Sequence, residues 1–592
     1  MAGIRSVFSD IFCMCTSVKK RFPDAFAVGI IFILTLVWGR FFISTQLMSG
    51  LDMEIAFIKV AAFVQSWQDG FFIGRWSLDM NYGYGYPLLH FYSPLFFYCA
   101  GLMAVLTGNI VLGMNLLILL SAFLSVMVMY FFVKRWWGRE AALFAAVVYL
   151  FAPYHSWDIY NRGTCAEFMA FLFLPLLLLS IDKIFEKPGP GIFIGTAMAS
   201  AGLILCHNLM AMLIFPLAIV YAACLMVIQG EKRVLKMFLA AGALLYGVFL
   251  SAYFWMPLFA EMKFVFLEDR ATEGWANFHL HFMTLRQALF AAWEHYQQPA
   301  LQRMGYFLPP DPRTFQLGVL GVVFSVVLAA SVWHLSRRNI KLAAITLFWM
   351  IISAAFLFLM TPSSQFIWEA VAALQKVQFP WRFFLILTFI YSFFAAGVIY
   401  LIPEKQRWYG CCILSAVYLF CYYPYATPSR LVDQENPKDL KAWVYAHHPM
   451  DRMEYLPRKV KVIAPVPPGA LVRLIRGDAV VLGEAPLKPA AAYSFIMQGQ
   501  KPSLVLLNHY YFPGWTVLVD GQKVDIEADN PLGVIVFSVP SGKHDIHIYF
   551  GHTPVRWAGE ILSVLGVLGL WGGWIVAGYR YRGGFYGMCQ RA

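Results

Sequence analysis

The sequence predicts a polytopic α-helical membrane protein of about 12 spans with an external β-sandwich domain near its C-terminal end. Three observations predict it. Of 592 residues, 60% are hydrophobic and 13% charged, with a mean hydropathy of +0.63; soluble domains run at about 45–50% apolar and about 25% charged. The apolar residues gather into runs near the roughly 20 residues that a spanning helix needs. One late stretch, 426–557, departs from this pattern, with short β-branched runs between turn signals.

The first span covers 25–43. Lys19, Lys20 and Arg21 precede it, which places the N-terminus in the cytoplasm and the following loop outside. No long apolar core precedes that basic cluster and no small-residue cleavage site follows the span, so it is expected to be retained. Residues 93–107 are apolar but short. If they crossed, Lys134, Arg135 and Arg139 would lie outside and every later basic loop would be inverted. If they dip into the outer leaflet, Lys183/Lys187, Lys232/Arg233/Lys236, Arg337/Arg338/Lys341, Lys405/Arg407 and Arg580/Arg582 all fall inside. The segment is therefore expected not to cross. The remaining spans are 110–133, 141–153, 166–181, 191–206, 209–228, 237–256, 315–334, 342–360, 383–402, 411–425 and 561–579. The division is a membrane domain over 1–425 with a large first external loop at 44–109, an external β-rich domain over 426–557, and a final span with its cytoplasmic tail over 558–592.

The net charge of +12 sits in these short loops, so it reads as a topology signal and nucleic acid is not an expected partner. Among ten cysteines, none falls between 425 and 554, so no disulfide framework supports the β-rich domain. Cys13 and Cys15, beside the first basic cluster, are read as unmodified thiols. In the β-rich stretch, turn signals stand at Pro468-Gly469, Asp520-Gly521, Asn530-Pro531 and Ser541-Gly542. VDGQKV is the clearest hairpin signal among them.

With this topology the outside loops collect most of the remaining polar residues. Residues 50–94 follow the first span and hold Asp52, Glu54, Arg75, a Gly/Tyr-rich loop and His90. Asp52 and Glu54 share a face if extended and diverge on a helix; either suits a general base or a metal ligand, and either equally suits a solvated span end. The loop 154–167 carries Asp158, Arg162 and Glu167, with Glu167 inside the first turn of a lipid-embedded helix, where a carboxylate is costly unless paired or used. An Arg162–Glu167 structural pair and a site for phosphate or sugar are both open. His207-Asn208 and the run KVQFPWRF with Arg382 complete the external set; Arg382 suits either an interfacial anchor or a grip on a lipid phosphate. Alternate histidines at 279 and 281 lack a third ligand nearby, so metal binding there is a weak reading.

At these residues the chain resembles a known group. GRW followed by NYGYGYPLLHFYSPL, then YNRGTCAE, His-Asn-Leu and QFPWRF look like the membrane proteins labelled 6-pyruvoyl-tetrahydropterin-synthase-related, a label that implies no pterin chemistry. The tail YYFPGWTVLVDGQKV with VPSGKHDIHIYF is similar to the C-terminal domain of YfhO-type proteins. Both groups look like GT-C glycosyltransferases. The resemblance implies a GT-C-like enzyme of the cell (inner) membrane, transferring a hexose or pentose from a polyprenyl-phosphate donor on the external, periplasmic leaflet to a lipid, glycan or protein acceptor, with inversion. It implies Asp52 as the catalytic carboxylate and Glu167, or else Asp158, as the second acid. The group usually has a histidine shortly after the first acid where this chain reads DMEIAF, which leaves Glu54 as a further catalytic candidate. Arg162, Arg382, Asp158, Arg75, His90, His207 and Asn208 are the candidates for substrate binding. No cofactor is called for with certainty, and either protein cations or a divalent cation would serve the departing phosphate. A lipid-sugar flippase and a non-catalytic envelope-assembly protein are the competing classes.

Overall fold

The computed structural model describes residues 23–48, 50, 52–229, 232–267, 274–289, 316–428, 430–433, 436–446, 455–464, 466–487 and 492–589. The readings for Cys13, Cys15 and the basic cluster Lys19, Lys20 and Arg21 lie outside the described residues.

Each predicted span overlaps a helix, although 237–256 runs across a break at Ser251 into a second helix, Ala252–Glu261. Among the described residues, eight helices are long and apolar enough to cross a membrane: α4 (Ile110–Trp137), α6 (Cys165–Glu186), α8 (Asn208–Ile228), α9 (Arg233–Leu250), α11 (Val319–Arg338), α12 (Ile340–Leu359), α13 (Phe384–Leu401, extended at its start by the turn from Pro380) and α16 (Pro554–Cys589). The other four predicted spans form shorter helices: α1 (Pro23–Trp38), α5 (Arg139–Phe151), α7 (Pro190–Cys206) and α14 (Arg407–Tyr422). Pro175, inside α6, and Pro216, inside α8, remove one backbone donor each without ending their helices, as neighbouring helices in a bundle permit.

The ends of these helices sort as the charge pattern requires. At one end Lys134 at the close of α4 meets Asp24 at the start of α1 at 2.6 Å, and Arg135 meets Glu186 at the close of α6 at 2.5 Å. At the other end the Asn115 amide near the start of α4 donates to the Ser44 and Gln46 carbonyls just beyond α1, at 2.9 and 3.1 Å. Residues 44–109 therefore leave and re-enter the bundle at the same end. Within them lie α2 (Met53–Gln68) and α3 (Leu95–Thr107). At 13 residues α3 reaches about 20 Å. It turns through left-handed Gly108 straight into α4, whose first turn is capped by Asn109, and it exposes Leu102, Val105 and Leu106.

The C-terminal region builds two antiparallel sheets. Five strands run in the order β4-β5-β10-β7-β8 and three in the order β3-β6-β9, with β3 at Val472–Arg476, β4 at Val480–Leu487, β5 at Ala492–Gly499, β6 at Ser503–Tyr510, β7 at Trp515–Val519, β8 at Gln522–Val524, β9 at Val534–Val539 and β10 at Gly542–Phe550. Strand β7 alternates buried and half-buried residues, the period-two pattern of a one-sided strand. The predicted VDGQKV hairpin joins β7 to β8. Asp520 (φ 50) and Gly521 (φ 78) both take the positive φ that a two-residue type I′ turn requires.

The Gly/Tyr-rich loop is where this region meets the membrane domain. Trp76 is fully buried against Phe512, Trp515 and Phe550, Tyr84 stacks on Tyr510 at 5.1 Å, and the Tyr510 N–H donates to the Tyr84 carbonyl at 2.7 Å. Gly85, at φ +89, lies so close to the Trp76 indole that a Cβ would come within 2.6 Å of it. A small two-stranded ladder, β1 (Leu47–Met48) with β2 (Leu431–Val432), adds a second tie between the first loop and the start of the C-terminal region.

Candidate active site

The connection between α5 and α6 positions the site. After α5 the chain makes a short helical segment, Pro153–Trp157, then a single wide turn over Asp158–Arg162 closed by left-handed Gly163. That turn points Asp158, Arg162 and, on the first turn of α6, Glu167 at one another. Gly163 packs directly on Met53, where a Cβ would fall within 2.6 Å of Met53 Cβ, and the Asp52 N–H donates to the Arg162 carbonyl at 2.8 Å. This backbone contact brings Asp52, at the head of α2, beside a loop more than a hundred residues away. The Asp52 side chain makes no cap bond to its own helix.

Glu167 is the centre of the polar cluster. It is buried and accepts from Arg382 Nε at 3.2 Å and from the Tyr154 hydroxyl at 3.0 Å, while Arg162 Nη1 lies at 3.2 Å and His207 Nε2 at 4.0 Å. Arg162 also donates to Asp158 at 2.8 Å and lies over the Trp381 ring at 4.4 Å. Arg382 also donates to the Val377 carbonyl at 2.6 Å and to Gln378 at 3.3 Å. Gln378 holds a positive φ of 67, a strained conformation for a non-glycine residue of the kind that collects at functional sites. His207 caps α8: its Nδ1 accepts the Met210 N–H at 3.2 Å, which leaves the ring proton on Nε2. Burial holds the His207 imidazole down at about 3, against the pull of Glu167, so the ring is neutral.

These groups line one side of a cavity of about 650 Å³. Asp52, Arg162, Thr164, Glu167, His207, Asn208, Gln378 and Arg382 give it a polar end. The rest of its lining is largely apolar and comes in good part from α8, α9 and α10 (Ala252–Glu261), including Phe215, Val248, Trp255 and Phe259. Phe259 is 63% exposed, so this wall continues onto the outer surface of the helices.

The sequence candidates divide accordingly. Asp52, Arg162, Glu167, His207, Asn208 and Arg382 meet at the cavity. Four do not line it. Glu54 is exposed, because α2 begins at Met53 and a helix turns positions 52 and 54 apart. Asp158 is fully buried behind Arg162 and accepts from it and from Thr164. Arg75 donates to the Tyr253 carbonyl at 2.8 Å and to Glu560 of α16 at 2.9 Å. His90 is fully buried with its Nε2 2.7 Å from Glu261, which Arg556 also holds at 2.8 Å. His279 and His281 separate too: the first pairs with Glu369 at 3.1 Å and the second packs on Phe379. Among the described residues, no group of three or more His, Cys, Asp or Glu side chains is placed to hold a metal ion.

Sequence reasoning missed Tyr92, Thr164, Lys376, Gln378 and Tyr455, all on the cavity wall. Lys376 and Gln378 lie in the KVQFPWRF run, whose charge and amide next to a Pro-Trp-Arg turn were available as a signal. Tyr455 comes from the C-terminal region and carried none.

Fold and site together define a polytopic membrane protein with a mostly apolar cavity, set with a cluster of polar side chains, at one end of its helix bundle and a β-rich domain seated beside it. Residues 89–374 match the model of the 6-pyruvoyl-tetrahydropterin synthase related domain, described as a membrane protein. An uncharacterized protein of Lactococcus lactis subsp. cremoris (strain MG1363) is 24% identical over 251 residues, covering 41% of each chain. Three solved structures are similar in part. Arabinofuranosyltransferase AftD from Mycobacteria has a TM-score of 0.42 at 13% identity, over 70% of this chain and 27% of its own. ArnT from Cupriavidus metallidurans bound to undecaprenyl phosphate has 0.40 at 14%, over 67% and 63%. The Archaeoglobus fulgidus oligosaccharyltransferase has 0.38 at 12%, over 69% and 56%. The chain thus spans less than two thirds of each of these proteins.

Proposed function

We propose that this protein is a membrane glycosyltransferase that moves a sugar from a polyprenyl-phosphate donor to an acceptor hydroxyl at the external leaflet, with inversion. The observation that carries this reading is the two-sided cavity. An apolar wall that runs out onto the lipid-facing helix surface suits a prenyl chain, and the polar end beside it suits a phosphate-linked sugar held at headgroup depth.

In this reading Asp52 is the general base. Its carboxylate has no capping duty and lines the cavity next to Arg162. It takes the proton of the acceptor hydroxyl as that oxygen bonds to the anomeric carbon. The bond from that carbon to the phosphate oxygen breaks, and the electron pair leaves with the polyprenyl phosphate. Positive charge and N–H donors around the departing oxygens lower the barrier to that separation. Glu167 is the positioning acid. Held by Arg162, Arg382 and Tyr154, it fixes both guanidinium groups so that the polar end is rigid before substrate arrives.

The test is release of undecaprenyl phosphate from undecaprenyl-phosphate-linked pentose and hexose donors by the purified protein in lipid nanodiscs with cell-envelope extract as acceptor source. Sugar transfer dependent on Asp52 supports the reading. Movement of intact donor between leaflets without release would support the flippase alternative and overturn it.

A further inference from the structure

The two arginines of the site are already engaged. Arg162 serves Asp158 at 2.8 Å and Glu167 at 3.2 Å, and Arg382 serves Glu167, the Val377 carbonyl and Gln378. Both guanidinium groups thus already have partners, so an incoming phosphate finds its uncommitted donors elsewhere on the cavity wall.

Three such donors are on the wall: His207, Asn208 and Lys376. The first two stand at the N-terminus of α8, a 21-residue helix; such an end carries roughly half a positive charge. Its first amides are occupied, the Asn208 N–H by the Ser93 hydroxyl at 2.8 Å, the Leu209 N–H by Asn208 Oδ1 at 3.0 Å and the Met210 N–H by His207 Nδ1 at 3.2 Å. The caps carry the positive end outward. With Nδ1 accepting, His207 offers Nε2–H; with Oδ1 accepting, Asn208 offers its Nδ2–H groups. The His207 side chain is only 7% exposed, and among the described residues its Nε2 meets nothing nearer than a Glu167 oxygen at 4.0 Å. A buried donor without a hydrogen-bond partner on a cavity wall is a ligand's contact point. The third partner is Lys376. It is exposed, lines the cavity, and faces no carboxylate within 4.0 Å among the described residues.

We propose that His207 Nε2–H, Asn208 Nδ2–H and the Lys376 ammonium, set on the positive end of α8, form the anion subsite for a phosphate group, and that the Arg162–Arg382 pair instead holds Glu167. The inference rests on the polyprenyl-phosphate reading above and names the residues that meet that phosphate. The glutamate oxygen near His207 does not repel the anion strongly, because two arginines neutralise it.

The experiment titrates the purified full chain in detergent with three probes, undecaprenyl phosphate, undecaprenol and inorganic phosphate, read by native mass spectrometry and by thermal shift. Wild type is expected to bind undecaprenyl phosphate at least tenfold tighter than undecaprenol, with inorganic phosphate much weaker than either. Lys376→Gln, on an exposed side chain, is expected to weaken undecaprenyl phosphate about fivefold with undecaprenol and the thermal midpoint unchanged, and Lys376→Arg to restore it. His207→Asn keeps a helix cap and loses the Nε2 donor; it is expected to weaken undecaprenyl phosphate about tenfold. Wild-type affinity in both loss variants would overturn the subsite while leaving the donor reading in place. No preference of wild type for undecaprenyl phosphate over undecaprenol would overturn the donor reading itself. Inorganic phosphate binding as tightly as the lipid would overturn the lipid headgroup as the source and assign the subsite to free phosphate.

Discussion

Two buried clusters in this molecule are built from the same parts. At the cavity, Glu167 is held by Arg162 and Arg382 with His207 at 4.0 Å. At the junction of membrane and β-rich domains, Glu261 is held by Arg556 at 2.8 Å with His90 at 2.7 Å and the Thr553 hydroxyl donating to it at 2.5 Å. The difference is access. The first opens on a cavity of about 650 Å³. The second is sealed: Arg556 and His90 are both 0% exposed, and Arg556 donates its remaining bonds to the Gly551 and Pro513 carbonyls. A buried Arg–Glu–His group is therefore not in itself a site; in one place it prepares a surface for ligands, and in the other it welds two domains.

The largest effect that would break this comparison is on turnover. Asp52→Asn is expected to cut sugar transfer by about 10²–10⁴, the usual cost of a lost general base, with a nearly unchanged thermal midpoint because asparagine keeps the side chain's size and the tie of position 52 to Arg162 is a backbone bond. Retention of a tenth or more of wild-type transfer would move the base elsewhere.

Removing one arginine from each cluster sharpens the contrast. Arg556→Ala and Arg162→Ala each leave a buried carboxylate uncompensated, at about 3–5 kcal/mol, and both should lower the thermal midpoint in detergent. Transfer per folded molecule should survive in Arg556→Ala and fall in Arg162→Ala. If Arg556→Ala also lost transfer per folded molecule, the junction would be part of the site.

Acid should probe the sealed cluster next. Burial holds His90 down at about 4, so between there and the ordinary 6.5 the unfolded chain binds a proton that the folded protein does not. Glu261 is pushed up by burial but held at about 2 overall by His90, Arg556 and Thr553. Stability contributed by both is present at neutral pH. The His90 part is lost as pH falls from 6.5 towards 4 and the Glu261 part from about 4.5 towards 2, with about 3 kcal/mol riding on His90. Thermal midpoints at pH 7, 5.5 and 4 check this, and His90→Gln should flatten the upper part of the slope. The smallest effect is expected from Glu54→Gln, within about 0.5 kcal/mol of wild type and with unchanged transfer, since Glu54 is exposed on α2 away from the cavity.

The same contrast shows what the sequence could convey. Loop charge was enough to put Asp52, Arg162, Glu167, His207 and Arg382 at one end of the bundle, where they do meet. Hydrophobic runs located the eight described helices long and apolar enough to cross a membrane, and Asp520-Gly521 announced its turn. Partnership was not legible. Arg75 and Glu560 stand 485 positions apart, and nothing in periodicity or charge pairs them. His90 and His207 looked alike as lone histidines beside helix ends; only packing made one a sealed contact and the other a cavity donor. The Gly/Tyr-rich loop after Trp76 carried no mark of its partner either, since aromatics at a membrane surface suit ligands as well as proteins; in the fold Trp76 and Tyr84 face the β-rich domain.

That seating carries a consequence for how the protein is made. Trp76 and Tyr84 leave the ribosome near the start of synthesis, while Phe512, Trp515 and Tyr510, which cover them, come close to its end. At about 5–20 residues per second the interval is roughly 20–90 seconds. Through that time a tryptophan and several tyrosines wait uncovered in the first loop, near α3 with its exposed Leu102, Val105 and Leu106. Newly inserted chains are thus open to wrong contacts until the last-made domain arrives, and a truncation that removes β6 to β10 should leave a first loop that is readily cut by protease.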